Sequence, residues 1–243
     1  MKRRHGDYGI DSPYVPIGLG MAAALGLALA IVCGANSFRW LGGLSLAVGI
    51  VFAFSTLSFL WTTRRGKFVV WDELLDSLAL RGNERLLDVG CGRGAVLTLA
   101  AQRLPTGRAV GVDLWSTKDQ SGNSEQVTLR NAELEGVRDR IELHTADIRR
   151  LPFADASFDV VTSSLAIHNI GTTEGREQAL AEVLRVLKSD GTAMIADIQH
   201  ASEYERYFAA LANTEVERRK LGWRLWYGGP HAATTLVTVR RSH

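Results

Sequence analysis

The chain of 243 residues is short of cysteine: it has two, Cys33 and Cys91, far apart and in unlike settings. Neither has a metal-ligating neighbour, which argues against a disulfide framework and a zinc site and suits a reducing cytoplasm. Long basic tracts interleaved with aromatics are also missing, and the formal net charge is only +2, so nothing marks nucleic acid as a partner. There is no internal repeat, and no low-complexity segment outside two apolar runs.

Another absence defines those runs. Residues 12–38 and 40–63 contain no Asp, Glu, Lys or Arg, and Arg39 alone separates them. Each is as long as a bilayer-spanning helix must be. A signal peptide would end in a cleavage site and lead into an exported domain, whereas here a second run follows within a few residues. A core helix of a globular protein would carry a polar face, and these have none. The expected organisation is a cytoplasmic tail (1–15), a two-helix transmembrane hairpin (16–63) and a cytoplasmic domain (64–243), multi-pass in the cell (inner) membrane with the lipid bilayer as partner. Lys2, Arg3 and Arg4 precede the first run, and Arg64, Arg65 and Lys67 follow the second, which places both termini in the cytoplasm. Trp40 and Trp61 bracket the second run, where interfacial aromatics belong. Ala22, Gly26, Ala30 and Gly34 recur every four residues in the first run, and Ser45, Gly49 and Ala53 do so in the second. Small residues at that spacing let helices approach closely in lipid, within the hairpin or in a homodimer.

After Lys67 the pattern becomes an alternation. VVWDELLDSLAL has apolar residues at helical spacing. Strand-like runs follow, RLLDVG, RAVGVDL, RIELHTAD, FDVVTSSLAI and GTAMIADI, with helix-like AVLTLAAQRL, EQVTLRNAELEGV and REQALAEVLRVLK among them. Strands separated by helices of this length predict βαβ units, a parallel sheet and an α/β fold. The C-terminal WRLWYGGPHAATTLVTVRR reads as two strands joined by a Gly-Gly-Pro turn, which would make the sheet mixed.

Chemistry enters at LLDVGCGRGA, an apolar strand breaking into a glycine loop that opens a helix. Gly90, Gly92 and Ala95 satisfy the dinucleotide pattern G-x-G-x-x-G/A, which would suit a nicotinamide-dependent oxidoreductase. Asp88, Gly90, Gly92 and Gly94 also give D-x-G-x-G-x-G, the pattern of enzymes that bind S-adenosylmethionine. Asp113, at the end of VGVDLW, is placed to accept from ribose hydroxyls and does not discriminate. Asp88 does: it would repel the phosphates of a dinucleotide but attract the sulfonium and ammonium of S-adenosylmethionine. Asp147, after the third strand, is placed to accept from an adenine amino group.

With these residues in view, residues 68–240 resemble a class I S-adenosylmethionine-dependent methyltransferase. The motifs are LLDVGCGRG, VGVDLW, ADIRRLPFADASFDVVTSSLAIHNI and EVLRVLKSDGTAMIADI, in the family's order and across nearly all of the soluble part. The resemblance implies a Rossmann-like sheet of seven strands in the order 3-2-1-4-5-7-6 with strand 7 antiparallel, and S-adenosylmethionine as cofactor, with no metal. It assigns the glycine motif (Asp88, Gly90, Cys91, Gly92, Gly94) to the methionine side, Asp113 to the ribose, and Leu114, Asp147 and Ile148 to the adenine. One departure is KSDG, a turn before strand five where relatives often have Pro-Gly. The motifs are nearest those of quinone and sterol methyltransferases, which act on lipophilic acceptors; the hairpin lies outside the resemblance.

Methyl transfer from a sulfonium is an in-line displacement, so positioning matters most, and an acidic acceptor needs little beyond deprotonation. His168 in LAIHNI follows strand four on the ligand side and is the candidate base, a capping or core role being its alternative. Asn169 is placed to orient it or to hold the acceptor. Ser164, with Ser163, fits the methionine end better than a nucleophile's role. The loop 115–126 is a surface connection or a flap in which Trp115 stacks near the adenine and Gln120 or Asn123 reaches polar atoms. In the late segment, Trp223, Trp226 and Tyr227 are core residues or face the bilayer or the acceptor. The expected function is an integral-membrane methyltransferase acting on a small lipophilic acceptor (a quinone-like phenol, an isoprenoid, a lipid amine or a thiol). The competing reading is a membrane-tethered binding protein without turnover, against which the intact motif and His168 argue.

Overall fold

The computed structural model describes residues 4–36, 38–117 and 119–241. Lys2 and Arg3, two of the charges used above to orient the hairpin, lie outside these residues.

Two apolar helices come first, α1 (Tyr14–Ala35) and α2 (Arg39–Trp61). Both are long and apolar enough to cross a membrane, by length and composition. The small-residue stripes meet each other within the chain. A Cβ added at Gly26 would lie 2.8 Å from Gly49 Cα, and one at Gly42 would lie 3.2 Å from both Ala30 O and Gly34 N. The outer faces carry exposed Ile17, Met21, Leu25 and Ile31 on α1, and Leu46, Ile50, Phe54 and Leu57 on α2.

Helix α2 does not stop at Trp61. A π-helical turn, Thr62–Gly66, carries it into α3 (Lys67–Ser77), so residues 39–77 form one uninterrupted helix of 39 residues. The two-helix hairpin and the sheet domain are therefore joined by helix, without a loop between them. Residues 4–13, expected as a tail, lie along the domain. The backbone N–H groups of His5 and Gly6 donate to Glu135 Oε1 at 2.9 and 3.0 Å, and Asp7 N–H donates to Asn131 Oδ1 at 2.8 Å. Tyr8 is buried edge-on against Phe68, with ring centroids 4.9 Å apart.

The domain is one sheet of seven strands: β1 (Arg85–Val89), β2 (Arg108–Asp113), β3 (Ile141–Thr145), β4 (Phe158–Ser164), β5 (Leu187–Asp197), β6 (Thr214–Lys220) and β7 (Thr235–Arg241). Their order is β3-β2-β1-β4-β5-β7-β6, with β7 antiparallel to both neighbours and the other pairs parallel, as the resemblance implies. Side chains alternate across the strands. Leu86 of β1 joins one core, with Phe68, Trp71 and Leu74 of α3 and Leu97 and Leu99 of α4 (Ala95–Gln102). Leu87 and Val89 join the other, with Leu180 and Val183 of α6 (Thr173–Val186) and Tyr204 and Phe208 of α7 (Ala201–Ala209). Helix α5 (Glu125–Leu134) starts at Ser124, whose hydroxyl accepts from Val127 N–H at 3.3 Å.

Two expectations are corrected. WRLWYGG is not a strand: residues 221–234 form a loop with short 3₁₀ turns at Trp223–Leu225 and Pro230–Ala232, and the strand that precedes β7 and pairs with it is TEVERRK. That strand is charged and mostly exposed, so apolar alternation could not reveal it; charge on an edge strand discourages pairing with another chain. KSDG is not a turn before strand five but an irregularity within it. Leu187 pairs with Phe158 and the next pair is Thr192 with Val160, so residues 188–191 stand out of register. Lys188 Nζ anchors them to Asp159 Oδ1 at 2.6 Å.

Candidate active site

Open α/β sheets bind ligands beyond the carboxyl ends of their strands, where the strand order reverses. Here that point lies between β1 and β4, and a cavity of about 640 Å³ opens there.

The end of β1 supplies Asp88, 1% exposed, whose Oδ1 accepts from Thr162 Oγ1 of β4 at 2.9 Å. Burial pushes its carboxyl up to about 7, against the pull of the Thr162 hydroxyl and of the Leu97 N–H in the first turn of α4. The loop that follows needs glycine: φ is +73° at Gly90, +50° at Gly92 and +80° at Gly94. Its successive N–H groups are all spent inside the chain. Those of Gly90 and Cys91 donate to Val112 O at 2.8 and 3.1 Å, and that of Gly94 to Cys91 O at 2.9 Å. Those of Gly92 and Arg93 donate to Asp113 Oδ2 and Gln120 Oε1, each at 2.8 Å. A loop that cradles phosphate aims such groups at its ligand. Gly90, Cys91 and Gly92 line the cavity; Gly94 stands behind them as the left-handed cap of α4. Burial holds the Cys91 thiol well above its ordinary range, so it contributes wall, not a nucleophile.

At the end of β2, Asp113 faces the cavity and also accepts at Oδ1 from Trp115 N–H (2.6 Å) and Asn123 Nδ2 (3.1 Å). Leu114 lines the cavity and is exposed. The flap expectation divides. Gln120 and Asn123 line the cavity, but Trp115, at φ +60°, turns its indole away from it and donates to Thr145 Oγ1 at 2.7 Å. After β3, Asp147 and Ile148 line the cavity, and Arg149 hydrogen-bonds both Asp147 oxygens, holding that carboxyl below its usual range.

After β4, Ser164 lines the cavity and accepts from Trp71 Nε1 at 2.9 Å, while the Ser163 hydroxyl is buried and unpartnered among the described residues. Leu165, at φ +56°, turns the chain into the 3₁₀ turn Ile167–Asn169. This brings His168 to the cavity and to Asp197 at the end of β5. His168 N–H donates to Asp197 Oδ2 at 3.1 Å, and Nδ1 lies 2.5 Å from Oδ1, an ion-pair distance without hydrogen-bond alignment. Asp197 is 1% exposed and also accepts from Tyr204 OH at 3.3 Å. Asn169 lines the cavity but does not orient His168: its amide donates to Leu165 O at 3.3 Å.

Comparison with known proteins agrees with this geometry. Residues 87–195 match the family described as a methyltransferase domain. Over that stretch the chain is similar to a methyltransferase domain. The ubiquinone/menaquinone biosynthesis C-methyltransferase UbiE of Dinoroseobacter shibae is 37% identical over 129 residues, 53% of this chain and 48% of that protein. A demethylmenaquinone methyltransferase of Lactobacillus johnsonii is 29% identical over 145 residues, 56% of this chain and 55% of that protein. The chain thus spans about half the length of these curated relatives. A geranyl diphosphate methyltransferase solved in complex with S-adenosylmethionine shares the fold, with a TM-score of 0.56 at 16% identity, over 72% of this chain and 85% of that one.

Two parts of the candidate site escaped the sequence reading. Asp197 follows strand five as Asp113 follows strand two; asking of the fifth strand what was asked of the first four would have found it. Asp11 had no local signal. Its carboxylate accepts from Lys67 Nζ (2.9 Å), Thr63 Oγ1 (2.8 Å), Gln120 Nε2 (3.0 Å) and Tyr227 OH (3.1 Å). These partners come from the π turn, α3, the flap and the C-terminal loop, so only the folded chain brings them together. Asp11, Lys67 and Tyr227 all line the cavity.

Proposed function

We propose that this protein is an integral-membrane methyltransferase that moves a methyl group from S-adenosylmethionine to a small lipophilic acceptor of the quinone or phenol type. The observation that carries the cofactor assignment is the glycine loop. Its N–H groups at residues 90–94 are already donated within the chain, and the buried Asp88 carboxyl faces the first turn of α4, the place a pyrophosphate would need. Such a site suits a nucleoside ligand whose charge is positive. When bound, that cofactor supplies an electrophilic methyl group on a sulfonium.

The chain's own residues do the rest. Asp88 would offset positive charge on the methionine side, Asp113 would hold the ribose hydroxyls, and Asp147 would accept from the adenine amino group with Leu114 and Ile148 against the ring. His168 would take the acceptor's proton at Nε2, held for that by Asp197 on its Nδ1 side. Asn169 would hold the acceptor. The quinone-like acceptor class is supported by the acceptors named for the relatives and by the two apolar helices, which would sit in the bilayer with both chain ends on the cytoplasmic side.

Calorimetry on the full chain tests the cofactor assignment. It should show binding of S-adenosylmethionine and S-adenosylhomocysteine and none of NAD; NAD binding without either would overturn it.

A further inference from the structure

The cavity does not end at His168. It continues past Lys67 and Trp71 to the hairpin, where Val15 of α1 and Phe59 of α2 line it with Tyr227 and His231 of the 221–234 loop. This outer part is a built wall. Phe59 is 2% exposed and stands edge-on to Tyr227, with ring centroids 5.3 Å apart at 77°. Tyr227 is pinned in turn by its hydroxyl on Asp11, and the loop is pinned to α2 by Ser58 and Thr62, whose hydroxyls both donate to Trp226 O at 3.0 Å. At the rim, Val15 is 43% exposed, and beyond it Ile17 and Met21 stand exposed on the uncharged face of α1.

The level of this rim follows from its neighbours. Trp61 stacks on Trp223 at 5.1 Å, and Arg64 and Arg65 come next, the sequence of groups that belongs at a membrane–water boundary. Phe59 precedes Trp61 by two residues and so lies on the apolar side of that boundary. The inner end of the cavity carries Asp88, Asp113 and His168; at the outer end Val15, Phe59 and the Tyr227 ring supply apolar wall, with the charge of Asp11 neutralised by Lys67 behind it. That polarity fits an amphiphile bound with its polar ring inward and an apolar chain leaving along the helices.

We infer that the opening bounded by Val15, Phe59 and Tyr227 is a lateral portal. The ring of a chain-bearing acceptor passes through it to His168 while its chain stays in the bilayer beside α1. The inference rests on the methyltransferase reading and on the hairpin lying in lipid, and it adds the route and the residues that select for a chain. Side chains of Val15, Phe59 and Tyr227 bound the portal, so a single substitution at its rim should change which acceptors enter.

The test uses the full chain in lipid nanodiscs, with a hydroquinone carrying a long isoprenoid chain and its chainless counterpart. Val15→Trp narrows the rim at an exposed position, where folding tolerates the change. The ratio of kcat/KM for the chain-bearing acceptor to that for the chainless one should fall roughly tenfold or more. An unchanged ratio in an active enzyme overturns the portal alone; no transfer to either acceptor by the unsubstituted chain overturns the underlying reading and the portal with it. A second measurement needs no substitution. A chain-bearing hydroquinone with a photoreactive group near the ring end of its chain should label α1 and α2 around Val15 and Phe59. Labelling spread evenly over the hairpin, with no excess there, contradicts the portal.

Discussion

His168 Nδ1 lies 2.5 Å from Asp197 Oδ1, and the same carboxylate receives the His168 backbone N–H and the Tyr204 hydroxyl. One buried acid at the end of β5 thus anchors the main chain of the residue after β4 and stands beside its ring. In the proposed reading Nε2 is the nitrogen that takes the acceptor's proton. His168→Ala should lower kcat roughly a hundredfold. Asp197→Asn keeps the shape and should lower kcat by a smaller factor, with KM for the cofactor little changed. The His168→Ala loss should shrink for acceptors already ionised at the assay pH. Equal loss across acceptors of different acidity would mean that the dyad packs the site and moves no proton.

Asp88 links stability to cofactor binding. Its carboxyl is pushed up to about 7 by burial, above its unfolded value near 4, so the folded state resists ionising it. The resulting destabilisation is absent below about pH 4, grows as pH rises through the interval, and is complete above about pH 7. Asp88→Asn should therefore raise the Tm of the ligand-free protein at pH 8 and leave it unchanged at pH 4. It should also weaken S-adenosylmethionine binding, because a cationic ligand favours the ionised carboxylate. Binding to the unsubstituted protein should release protons near pH 7, which calorimetry in buffers of different ionisation enthalpy reads directly. Proton uptake on binding would contradict the placement of Asp88 against the cofactor's positive charge.

Asp113 accepts from the glycine loop and is the residue proposed to hold the ribose. Asp113→Ala removes the acceptor of Gly92 N–H and Trp115 N–H and should cost about 2 kcal/mol or more of cofactor affinity, roughly thirtyfold in Kd. An unchanged Kd would show that the ribose is held elsewhere.

Much of this was legible in advance, and the failures have physical causes. The glycine loop, Asp113 and Asp147 were visible because each follows an apolar strand, and strand ends are where α/β sheets place ligands. Strand β6 was invisible because Glu215, Glu217, Arg218, Arg219 and Lys220 show no buried face. The flap reading puts Trp115 near the adenine because it adjoins Asp113, and the surface-connection reading does not; in the fold its indole bonds Thr145 and it does not line the cavity. Residues 4–13 read as a tail because their partners, Glu135, Asn131, Gln120 and Tyr227, are distant in sequence.

The hairpin contact is testable by contrast. Gly26→Ile places a side chain where Gly49 Cα would be 2.8 Å from its first carbon, whereas Gly43 has nothing within 4 Å. Gly26→Ile should destabilise the protein in detergent by about 1–3 kcal/mol, and Gly43→Ile should not. Equal effects in thermal unfolding would mean that the two helices do not pack through this stripe.

The most direct test follows the methyl group itself. The full chain in nanodiscs is given S-adenosylmethionine labelled on its methyl carbon together with a lipid extract containing quinone precursors. The label should appear in a solvent-extractable lipophilic product, and its rate of appearance should fall on substitution of His168 or Asp113. Cofactor binding measured in the same preparation without label in any lipid product would contradict the account.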